Sequence, residues 1–219
     1  MPSAAAETFA QRIADVDLLM EIHGEIGHGS GTRGNPGPRV EVLNRSAIVL
    51  TTAIWEGYCE EVAAEALRHL IDHSADPKRL PKRLRAQVSA ELNPEQAWQL
   101  AGDGWKKYLA ARLATYAEKR AREFNTPASK RVDELMLEAI GLDKITDAWK
   151  WPPTTASKSR NKLDGWVQLR QDIAHGSGAA KPVRKKTVES YRTHVGRLVE
   201  RTDAAVDAYL LQETGQSFF

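Results

Sequence analysis

The sequence predicts an all-α protein, and three observations carry that expectation. Apolar residues recur at three- and four-residue steps over long stretches, the period of an amphipathic helix. Segments rich in glycine, proline or small polar residues separate these stretches, as helix punctuation should. No run bounded by turn signals alternates with a period of two, so no strand is expected.

In chain order, residues 4–23 place Phe9, Ile13, Val16, Leu19 or Met20, and Ile22 or His23 on one stripe, with Gly24 or Gly27 as the end of a first helix. GHGSGTRGNPGPR, 27–39, carries five glycines and two prolines and reads as a flexible loop. Ile48, Thr52, Trp55, Cys59, Val62, Ala66 and Leu70 then form an unbroken stripe along one long helix, about 40–73. From 75 to 125 the chain is basic and less regular, with Pro81 and Pro94 placed to start two or three shorter helices. TPASKRVDELMLEAIG, 126–141, predicts a helix with Thr126 as its N-cap, Pro127 in the first turn and Gly141 closing it. KITDAWKW forms a turn. After Pro152-Pro153 comes a helix with Leu163, Trp166, Leu169 and Ile173 at helical spacing, stopping at Gly176. A last helix, about 184–213, uses Val188, Tyr191, Val195, Leu198, Val206 and Leu210.

The composition, 42% hydrophobic and 27% charged over 219 residues, is that of a soluble globular protein. Thirty-one basic against twenty-nine acidic side chains leave a formal charge of +2, so a polyanionic partner must be met by a local basic patch. Cys59 has no second cysteine to pair with, and MPSAAAETFAQRI lacks a basic region followed by an apolar run, which points to a reducing, cytoplasmic setting. No stretch approaches the roughly 18 apolar residues of a membrane span.

LRQDIAHG, 169–176, holds the residues of most chemical interest: Arg170 and, five positions on, His175. Histidine can move a proton near neutral pH, and a guanidinium can contact two phosphate oxygens at once. Cleavage of RNA by its own 2′-OH needs those capacities, a proton acceptor, a proton donor and stabilisation of charge on the phosphorane, and it needs no metal. Spacing alone does not single out this pair. With 18 arginines and six histidines, an Arg-x(4–6)-His pattern should arise about once or twice by chance, and a second instance is Arg68 to His73. Five residues also turn a helix by about 140°, so Arg170 and His175 share a face only if His175 leaves the helical path at its end. The plainer alternative is that His175 only interacts with the last carbonyls of its helix.

Other patterns are weaker. Gly29 to Gly34 fits a dinucleotide fingerprint in letters, but it follows a helix and has no βαβ unit around it. His69 and His73 have the i, i+4 spacing of helical zinc ligands without further ligands nearby in sequence; no cofactor or metal is expected. Glu56, beside Trp55, could orient groups in an active centre or lie on a solvated face. Basic residues between Lys78 and Arg131 could form an RNA-binding surface, though acidic residues interleave them. Trp98, Trp105, Trp149, Trp151 and Trp166 fit core or interface positions better than base-stacking platforms.

AIVLTTAIWEGYCEEV, 47–62, FNTPASKRVDELMLEAIGLDKITDAWKW, 124–151, LRQDIAHG, and the helix ending VERTDAAVDAYL occur in an order that resembles the HEPN superfamily, closest to its RiboL-PSP-HEPN type. The resemblance covers about 40–213, with 75–125 its least recognisable part. It implies one HEPN-like domain over 1–219: an N-terminal helix (1–26), the loop 27–39, and a helical-bundle core (40–213) with a basic helical insertion at about 75–125. It further implies a homodimer that joins two Arg-x(4–6)-His motifs into a metal-independent endoribonuclease site, commonly in phage defence or a toxin–antitoxin pair. RNA, a second copy of the chain, and an antitoxin or other regulatory protein are then the expected partners. Arg170 and His175 would be the catalytic pair, with Gln171 and Glu56 supporting it. Gln171 departs from the asparagine or smaller polar residue usual after the motif arginine. The alternative is a catalytically silent HEPN module that binds protein or RNA through the same surface.

Overall fold

The computed structural model describes residues 2–27, 38–123, 126–175 and 182–219. The Gly29–Gly34 pattern, most of the 27–39 segment and Gly176 lie outside the described residues. Eight α-helices follow in order: α1 (Ala4–Gly27), α2 (Pro38–His73), α3 (Lys82–Glu91), α4 (Pro94–Ala97), α5 (Gly104–Glu123), α6 (Ser129–Ile140), α7 (Ala156–Ala174) and α8 (Lys185–Thr214). Short 3₁₀ turns lie at Pro77–Arg79, Trp98–Leu100 and Ile145–Ala148. The described residues contain no strand, only one bridge between Trp151 and Thr154.

The long helix α2 is the axis of the molecule. All seven residues of its apolar stripe, from Ile48 to Leu70, are buried, and α1, α5, α6, α7 and α8 all pack against it. Helix α1 lies along it through Phe9, Ile13 and Val16, with Phe9 edge-on to Tyr58 at 6.0 Å. Helix α8 buries the six apolar residues its spacing marked, and also His194, Thr202 and Asp203. Each of these polar groups is bonded, as burial demands. The Trp149 indole N–H donates to Thr202 Oγ1 at 2.9 Å. Asp203 accepts from the Tyr58 hydroxyl (2.7 Å) and from Ser3, both its backbone N–H and its hydroxyl (2.9 Å each). That carboxylate ties the start of α1 to the middle of α2 and α8.

The basic segment forms α3, α4 and α5, and it joins the bundle through two contacts. Leu84 and Val88 of α3 are buried where α3 packs on α6, and Trp105 and Leu109 of α5 are buried in the same continuous core. Pro81 precedes α3 as its N-cap residue. Pro94 does start a helix, but only of four residues. Trp98, at the first position of the 3₁₀ turn that follows α4, is not a core residue: it is 83% exposed. Trp105, Trp149 and Trp151 are buried and Trp166 is half-buried.

The start of α6 also differs from its sequence reading. Ala128, not Thr126, is the N-cap position, and the capping acceptor comes from another helix. Asp164 of α7 accepts from the Ser129 backbone N–H at 2.7 Å and from the Ser129 hydroxyl at 2.8 Å. A carboxylate supplied in space satisfies the free N–H groups of a helix start as well as a local side chain does, which releases Thr126 for another bond. No helix among the described residues is long and apolar enough to cross a membrane.

Candidate active site at the end of α7

The rotation of α7 about its axis decides which of its side chains reach the site. Thr155 caps its start by accepting from the Lys158 N–H at 3.3 Å. Ser159, Leu163 and Val167, at four-residue steps, form the buried seam. On one side of that seam, Asp164 and Gln171, seven residues apart, reach the segment that enters α6. Gln171 Nε2 donates to Thr126 Oγ1 at 3.1 Å. On the other side, Trp166 stacks on Tyr191 of α8, ring centroids 4.9 Å apart, and Arg170 follows one turn later.

This places Arg170 against α2 and α8. It is half-buried, and its positive charge acts on both Glu56 and Tyr191. Thr52 and Glu56 stand one turn apart on α2, and the Thr52 hydroxyl shares a 3.0 Å hydrogen bond with the Tyr191 hydroxyl. Burial raises the Glu56 carboxyl to about 7, the negative charge of neighbouring Glu60 adds to the rise, and Arg170 opposes it. Near neutral pH this carboxyl is therefore divided between its acid and its base forms. Burial also raises the Tyr191 phenol, so it stays protonated.

His175 ends the helix. Its backbone N–H donates to the Gln171 carbonyl at 2.9 Å, while its own φ of −87° and ψ of 0° leave the helical path. The side chain is exposed. Among the described residues, no hydrogen bond joins Arg170 to His175. Within one chain, Arg170, Glu56, Thr52 and Tyr191 form a polar group at the α2–α7–α8 contact, while Gln171 points to Thr126 and the exposed His175 ends α7 five residues beyond Arg170.

Thr52, Tyr191 and Thr126 were legible in the sequence only as core or cap residues. A polar threonine in an otherwise apolar stripe, one turn before Glu56, was the available signal. The second Arg–His pair is elsewhere: Arg68 and His73 are both exposed, and His73 lies 17 residues beyond Glu56, about 26 Å along α2. His73 instead packs on His69, ring centroids 4.3 Å apart, and His69 is 3.4 Å from Thr214 Oγ1. Among the described residues no group of three or more His, Cys, Asp or Glu side chains could hold a metal ion.

No curated protein and no solved structure matches this chain. The family model of RiboL-PSP-HEPN matches residues 17–208, from within α1 to near the end of α8. That span holds nearly the whole helical bundle and every residue of the polar group around Arg170, and the chain belongs to the RiboL-PSP-HEPN family.

Proposed function

We propose that this protein is a metal-independent endoribonuclease in which Arg170 binds the scissile phosphate and His175 moves a proton. The observation that carries this reading is the setting of Arg170. It is a half-buried cation beside a carboxyl that carries only part of its charge near neutral pH, so it is not fully neutralised and can still attract a phosphate. In the reaction a histidine takes the proton of the RNA 2′-OH, and the 2′ oxygen bonds to phosphorus. The bond from phosphorus to the 5′ oxygen breaks, and an acid returns a proton to that oxygen. The products are a 2′,3′-cyclic phosphate and a 5′-hydroxyl. Each chain offers one histidine at this edge, and a second copy supplies the other. Glu56 and Gln171 position the arginine and the helix end. A role in phage defence or in a toxin–antitoxin pair, with an antitoxin as regulator, suits such an activity.

The test is incubation of the purified protein with total RNA in EDTA. Wild type should cut, His175→Ala and Arg170→Ala should lose most activity while staying folded, and Arg68→Ala should cut nearly as wild type. RNA with a 2′-deoxy substitution at the cleaved position should resist. Cleavage of that substrate, or activity that disappears in EDTA and returns with magnesium, would reject the chemistry. Absence of any cleavage, with RNA or protein binding retained, would favour a silent binding module.

A further inference from the structure

A recess of about 420 Å³ opens beside α8, separate from the polar group around Arg170. Trp151, Lys162 of α7, and Lys186, Ser190, His194 and Arg197 of α8 contribute to its lining. Lys186, Ser190 and Arg197 fall at i, i+4 and i+11 of α8, so they share one helix face. Among the described residues, none of Lys162, Lys186 and Arg197 is held in an ion pair. Glu189, the carboxylate in the lining, is 3.8 Å from the neighbouring Lys185.

Two buried rings, Trp151 and His194, back the recess. His194 is buried, and its Nε2 lies 3.1 Å from the Ser159 carbonyl oxygen and 3.3 Å from the Ser159 hydroxyl. Burial lowers its pKa to about 4, helped by the positive charges of Lys162 and Arg197 and opposed by the bond to Ser159. It is neutral near pH 7, so the positive field comes from the two lysines and the arginine. The Arg197 guanidinium lies over the Trp151 ring, 5.6 Å from its centroid, which keeps it at the rim.

The recess and the Arg170 site are linked by one ridge. Lys162, Trp166 and Arg170 follow at four-residue steps on α7, and the Trp166 ring touches both His194, at 5.2 Å, and Tyr191, at 4.9 Å. Eight residues separate Lys162 from Arg170, about 12 Å along the helix, a span that a few nucleotides of single strand would cover.

We propose that this recess is a phosphodiester subsite, where Lys162, Lys186 and Arg197 hold the backbone of an RNA strand whose scissile bond lies at Arg170. The inference rests on RNA being the substrate. Unpaired cations gathered around a concave surface attract phosphate, and cationic grooves that track a backbone are how single strands are held without sequence readout.

The experiment measures binding of a fluorescent, fully 2′-O-methylated RNA, which cannot be cleaved through its 2′ oxygen, by anisotropy over a salt series. Each lost phosphate contact on a single strand lowers the salt slope by about 0.7. Lys162→Ala/Lys186→Ala/Arg197→Ala should therefore lower the slope by about 2 and weaken binding at low salt by about tenfold or more. Lys186→Ala alone, a surface change, should lower the slope by about 0.7. Arg197→Lys should keep it. Arg12→Ala/Arg68→Ala/Lys144→Ala removes equal charge from exposed positions away from the recess and should leave it unchanged. An unchanged slope in the first triple variant, an equal drop in the second, or no binding by wild type would overturn the subsite. Unmodified RNA separates the two readings: loss of slope without any cleavage by wild type would retain the subsite and remove the ribonuclease.

Discussion

Glu56 stands one turn beyond Thr52 on α2, facing Arg170, and its carboxyl titrates at about 7 in the fold against an ordinary 4.5. The folded state therefore binds this proton more tightly than the unfolded chain does. The sign follows: the group favours folding most below about pH 4.5, and that contribution falls as pH rises towards 7. Urea unfolding at pH 5 and pH 7.5 should show this loss in wild type and a smaller loss in Glu56→Gln, which keeps the shape and removes the titration. An equal pH dependence in both proteins would mean that Glu56 is solvated and ordinary. The same variant should reduce RNA cleavage by less than Arg170→Ala does, since a glutamine can still position the guanidinium.

The elements end and begin for reasons of different range. Gly141 closes α6 with φ of +77°, and its N–H donates to the Leu137 carbonyl at 3.0 Å. A Cβ there would stand 3.0 Å from the Leu84 backbone nitrogen at the start of α3. Gly141→Ala should thus destabilise the fold by about 1–2 kcal/mol from the left-handed conformation alone, with crowding against α3 in addition. Chemical denaturation would measure it, and a neutral result would show that the α3–α6 contact yields freely. This closure was readable from local sequence, because a left-handed residue after a helix is a backbone requirement that glycine meets. The opposite end of α6 was not, since its cap is Asp164, 35 positions away.

For the whole molecule, the exposed position of His175 at the end of α7 has a direct consequence for assembly. One chain offers a single histidine at the site, while the proposed reaction needs both a base and an acid. A two-fold axis near the C-terminal end of α7 would bring two such edges together through isologous contacts. Sedimentation at micromolar concentration should find a dimer, which should dissociate on dilution below its dissociation constant. A monomer that still cleaves RNA would exclude the shared site, and the acid would then have to come from within the chain, with Glu56, whose carboxyl is raised to about 7, as the candidate.

Much of the fold is local information in this chain. The period of the apolar residues located α1, α2, α6, α7 and α8 to within a few residues and identified the stripe of α2 completely, because a helix repeats its own face every turn and needs no partner to define it. The Arg170–His175 motif was likewise legible as a spacing and a family resemblance. Which of two such motifs adjoins a polar centre was decided only by packing. The buried seam of Ser159, Leu163 and Val167 fixes the rotation of α7, and with it the meeting of Arg170 with Glu56 and Tyr191, whereas Arg68 and His73 are left on an outer surface. Thr126, too, had to wait for the tertiary structure to exchange a capping role for a bond to Gln171. The physical reason is common to these cases: periodicity specifies what a helix buries, but the charge, partners and titration of a side chain depend on residues brought beside it from distant parts of the chain.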